Sequence, residues 1–164
     1  MAASICHDGR DRKGWKDRRD REGLPEGKLV SPSQTSQLVV VDDLMAEADS
    51  RLTKLFTKGS HHSNTSVVHL VQNLFDKKTD AVTISRNTHY MVVFKNPRDA
   101  SQITHLARQM YPSHVKFMQE AFADATAEPY GYLFIDLKQE TPDHLRLRTH
   151  VLPGETQYVY LRKS

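Results

Sequence analysis

A chain of 164 residues with 38% hydrophobic and 26% charged side chains is long enough for one domain with a core, yet polar enough to predict that part of it does not pack. Twenty-three basic against 20 acidic residues leave a formal charge of only +3, so composition alone does not argue for nucleic acid and any basic surface has to be local. A single cysteine, Cys6, excludes an internal disulfide framework; with no signal-peptide core and no apolar run near the ~18 residues of a membrane span, the reading is a protein of cytoplasm or nucleus with no membrane partner.

Between His7 and Gly23 five acids stand among seven bases around one tryptophan, without a hydrophobic period. Such a segment cannot bury enough surface to offset chain entropy, so residues 1–35, closing in the polar "SPSQTSQ" stretch, are expected to form a disordered mixed-charge tail and linker. Residues 36–164 are the expected domain. The run Leu38 to Val41 predicts a strand covered on both faces, ending in Asp42 and Asp43. Leu44, Ala48, Leu52, Leu55 and Phe56 then recur at helical spacing, with Gly59 as a stop.

A second strand is expected over "SVVHLVQ", ending in Gln72, and a third over Tyr90 to Phe94. After Pro97, Asp99 is placed to cap a helix whose apolar stripe is Ile103, Leu106, Ala107 and Met110. Pro112 and Ser113 separate it from another helix with Phe117, Met118, Ala121, Phe122 and Ala125 inward. The chain closes with "GYLFIDL", the alternating "LRLRT" and "QYVYL", all strand-like. The fold class that follows is α/β, a mainly parallel sheet with antiparallel strands at the carboxyl end.

Open α/β sheets bind ligands beyond the carboxyl ends of their strands, where Asp42, Asp43 and Gln72 are expected. In a nucleotide hydrolase, the first acid holds magnesium through water, the second polarises the attacking water, and a glutamine on the neighbouring strand senses the terminal phosphate. Taken alone, the same pair also suits a strand end followed by a helix cap. His61, His62 and His69 have no cysteine or carboxylate at ligand spacing, which favours two loop histidines and one packed strand histidine over a metal site. Tyr130, Tyr132 and Phe134 read as core. Arg146 and Arg148 share one face of a strand, either a solvated edge or a contact to DNA phosphates.

With "LVVVDDLM", "LFTKGSHHSNTSVVHLVQNLF", "ISRNTHYMVVFKNPRDASQITHLARQMYP" and "PYGYLFIDLKQETPDHLRLRTHVLPGE", the chain from about Glu22 onward resembles the carboxyl-terminal part of the FtsK/HerA-type DNA-packaging ATPase of Maverick/Polinton transposable elements, which is similar to packaging ATPases of large DNA viruses. The resemblance implies a P-loop NTPase of the additional-strand class, a ring-forming motor that uses Mg-ATP to drive double-stranded DNA. It implies Asp42 as the Walker B acid on magnesium, Asp43 as the catalytic carboxylate, Gln72 as the sensor, and Arg98 or Arg108 as the arginine finger.

No segment of these residues satisfies Gly-x-x-x-x-Gly-Lys followed by Ser or Thr, the loop whose amides and lysine hold phosphate. "GLPEGKL" has one residue too few between its glycines and Leu29 in place of the hydroxyl. The expectation is therefore a truncated copy with the P-loop strand missing. Its sheet is rearranged or marginally stable, and the chain is inactive alone, joining a homo- or hetero-oligomeric ring at most. The alternative is a non-catalytic DNA- or protein-binding module using Arg146, Arg148, Lys77 and Lys78, or a relic without function.

Overall fold

A computed structural model of the chain describes residues 2–6, 37–42, 53–54, 56–57, 65–74, 84–98 and 100–163. It divides into two compact units, Ser4–Val71 with Asp76–His89, and Met1–Ala3 with Gln72–Phe75 and Tyr90–Ser164. A short strand, β1 (Ala2–Cys6), lies within the segment expected as tail. Residues 7–36 of that segment are outside the described ones.

In the first unit, β2 (Gln37–Asp42) runs parallel to β3 (Thr65–Val71), with Gln37 opposite Thr65 and Asp42 opposite Leu70. Valines at 39, 40, 41, 67, 68 and 71 suit the pleat, because branching at Cβ costs least in extended backbone. Burial alternates along β3, with Thr65, Val67 and His69 inside. Phe56 is completely buried, as its place in the expected apolar stripe required, although most of that helix lies outside the described residues. The expectation that β2 is covered on both faces needs correction: Val41 is buried, but Leu38 and Val40 are exposed. A run of apolar residues reports hydrophobicity, and cannot report whether a neighbour lies over each face.

The second unit is antiparallel, in the order β4 (Tyr90–Phe94), β5 (Tyr132–Asp136), β6 (Leu147–Thr149) and β7 (Tyr158–Val159). The strand at 90–94, expected within a mainly parallel sheet, pairs antiparallel with β5, so the architecture is mixed α/β. Helices α1 (Ser101–Met110) and α2 (Val115–Ala125) supply Ile103, Leu106, Ala107, Met118, Ala121 and Ala125 to one core with Met91, Val93, Leu133, Ile135 and Leu147 of the strands. Each fully buried Leu or Ile in this core contributes about 1.5–3 kcal/mol.

Helix α1 begins after Ala100, which offers no side-chain cap, and the expected cap Asp99 lies outside the described residues. The end of α2 is closed by Thr126, whose hydroxyl donates to the Phe122 carbonyl at 2.8 Å. The chain then turns sharply. A Cβ on Gly131 would lie 2.5 Å from the Ala125 carbonyl oxygen, so only glycine fits. Just before it, Tyr130 takes φ 64 and is 95% exposed, which corrects its assignment to the core. Near the carboxyl end, the Tyr160 hydroxyl donates to the Asp124 carboxylate at 2.7 Å, tying the chain to α2. Among the described residues no helix is long and apolar enough to cross a membrane.

Candidate functional site

Parallel pairing brings the carboxyl ends of β2 and β3 side by side. Asp42 is the last residue of β2, exposed and in register with Leu70; Gln72, also exposed, is the first residue past β3. Asp43 lies outside the described residues, as do His61, His62, Lys77 and Lys78. Among the described residues no group of three or more His, Cys, Asp or Glu side chains is placed to hold a metal ion.

The two arginine-finger candidates are both exposed. Arg98 sits in the turn after β4, where its backbone N–H donates to Asn96 Oδ1 at 3.1 Å, and Arg108 is in the last turn of α1. A cavity of about 140 Å3, lined chiefly by Leu74, Val93, Phe94, Ile103 and Phe122, includes neither of them.

The expected strand from Leu145 begins only at Leu147, so Arg146 closes the short 3-10 turn 143–145 while Arg148 stands in β6, and both guanidinium groups are engaged within the fold. Arg146 Nε donates to Asp143 Oδ1 at 2.8 Å, while Nη1 donates to the carbonyls of Lys138 (2.8 Å) and Asp136 (3.1 Å). Arg148 Nη2 donates to Asp136 Oδ2 at 2.7 Å, and its guanidinium lies 5.0 Å from the centre of the Phe134 ring. Hydrogen bonding to Arg146 holds the Asp143 carboxyl below its ordinary value.

Asp136 is the residue that sequence reading passed over. An acid closing an apolar strand, "LFID", followed by a strand with alternate arginines, "RLR", was the available signal. Tyr132 and Phe134, expected in the core, are half-buried and stand apart from the core shared with the helices. They pair instead with Phe94 (6.0 Å between ring centres) and Tyr90 (5.4 Å) on the neighbouring strand.

His69 is a packed strand histidine, as expected. It is 6% exposed, 6.2 Å edge-on from Phe56, and its Nε2 has no hydrogen-bond partner. Burial holds its imidazole below the ordinary value of 6.5. The folded state thus resists a proton that the unfolded state accepts, and stability is expected to fall as pH drops below about 6.5, levelling once the folded-state value is passed. Urea titrations at pH 7.5 and 5.5 check this. His69→Phe should lose part of the difference, and an unchanged difference in the variant would contradict the assignment.

No family model matches the chain, and neither does any curated protein or solved structure.

Proposed function

We propose that this chain carries one half of the ATP site of an FtsK/HerA-type DNA-packaging ATPase. Asp42 is its magnesium-associated Walker B acid, Asp43 its catalytic carboxylate and Gln72 its sensor. The observation that supports this reading most directly is the parallel register of β2 with β3, in which Asp42 stands opposite Leu70 and Gln72 follows two residues later. That is the strand-end placement needed for a carboxylate to reach a bound magnesium while a neutral amide on the adjoining strand reaches the terminal phosphate.

The other half is a phosphate cradle, which these 164 residues do not encode. Most of the affinity for a nucleotide triphosphate comes from that loop's amides and lysine. The chain by itself is therefore a non-catalytic subunit, and it contributes to hydrolysis only when a phosphate-binding loop is supplied. Calorimetric titration of the chain with Mg-ATP should give no saturable binding in the micromolar range. Micromolar binding that disappears in Asp42→Asn would reject the claim of inactivity.

A further inference from the structure

We propose that the cavity of about 140 Å3 in the antiparallel unit is a binding site for a small aromatic carboxylate, which places its ring inside and its charge at the rim. The cavity lies beyond the carboxyl end of β4 and against the start of α1. Every residue around it belongs to the unit that contains Gln72–Phe75 and Tyr90–Ser164. The site makes no use of Asp42, Asp43 or Gln72.

Size and lining select the ring. Leu74, Val93, Phe94, Ile103 and Phe122 make most of the wall. Water gains little in such a place, because it needs several polar partners, whereas an apolar cavity of about 150 Å3 takes a benzene molecule.

The hydrogen-bonding groups select the head. Three polar side chains border the cavity, Lys95, Asn96 and Gln102. Gln102 Oε1 already accepts from the Leu74 N–H at 2.9 Å, and Asn96 Oδ1 accepts from the Arg98 N–H at 3.1 Å. With those two acceptors taken, Lys95 and Asn96 offer donors, an ammonium and an NH2 group. Lys95 is exposed, and among the described residues no carboxylate forms an ion pair with it. A carboxylate only accepts, so it suits such a rim better than an alcohol or an amine. One ammonium also balances one negative charge, which favours a carboxylate over the nearly doubly charged phosphate.

NMR titration of the 15N-labelled full chain with sodium benzoate, benzyl alcohol and sodium acetate separates ring from charge. Benzoate should bind saturably at about millimolar concentration, with shifts centred on the amides of Leu74, Val93 and Ile103. Benzyl alcohol should bind about two- to fivefold more weakly, the scale of an exposed ion pair, and acetate not measurably. Lys95→Met should remove the preference for benzoate and leave benzyl alcohol unchanged. Ile103→Phe fills the cavity and should weaken both ligands by about tenfold or more. Ala100→Leu, which narrows the exposed rim without loading the core, should weaken both as well and serves where Ile103→Phe fails to fold. Absence of saturable benzoate binding would overturn the site, as would binding that both of these variants leave unchanged. Benzyl alcohol binding as tightly as benzoate would overturn the carboxylate assignment.

Discussion

Replacing Asp136 by alanine is expected to cost the antiparallel unit about 3–5 kcal/mol, the range for removing one partner of a buried ion pair. Asp136 is 5% exposed and its carboxylate serves two groups: Oδ2 accepts from Arg148 at 2.7 Å and Oδ1 accepts from the Lys138 N–H at 3.2 Å, while the Arg148 guanidinium lies over the Phe134 ring. Without it the Arg148 guanidinium, whose Nε already lacks a hydrogen-bond partner, is left charged in a half-buried place. Truncating Asp143 instead should do little, because that carboxylate is exposed and its tie to Arg146 is screened by water. Urea unfolding of the full chain distinguishes the two. Equal midpoints for the Asp136→Ala and Asp143→Ala variants would show that the buried pair has no special weight. Replacing both members, as Asp136→Leu with Arg148→Met, should recover much of the loss, since what costs most is the orphaned charge rather than the missing bond.

The contrast between these two aspartates bears on what could be read from the chain alone. Helix α1 was legible because Ile103, Leu106 and Ala107 recur at the helical period and are buried in the structure. β5 was legible from Tyr132 to Asp136 for a similar reason, its apolar run beginning after a Pro-Tyr-Gly turn. Tyr130 was misplaced because an aromatic residue beside a strand looks like core, whereas Gly131's close approach to the Ala125 carbonyl forces a turn there and turns Tyr130 outward.

The arginines show the same limit at longer range. Spacing placed Arg146 and Arg148 on one face, but which carbonyls and carboxylates they meet depends on Phe134 lying opposite Arg148 and on where the chain runs after Asp136. That information is tertiary. Strand positions in the first unit were legible from hydrophobic runs: Asp42 closes β2 as expected, while β3 ends at Val71, one residue before the expected Gln72. The parallel direction of β2 and β3, expected from the strand–helix–strand order, is borne out, and it is what brings their carboxyl ends together.

The largest expected effect concerns Asp43. If Asp42, Asp43 and Gln72 are half of an ATP site, then supplying the other half should restore chemistry, and that chemistry should depend on these residues. The direct measurement is steady-state ATP hydrolysis by this chain fused to a strand, Gly-x-x-x-x-Gly-Lys-Ser loop and helix taken from an intact packaging ATPase. The account predicts Mg-dependent turnover that Asp43→Asn lowers by about 100-fold or more, the usual cost of losing a positioned base. Asp42→Asn should act mainly by weakening the response to magnesium. Turnover that is indifferent to both substitutions would contradict the assignment of the aspartate pair.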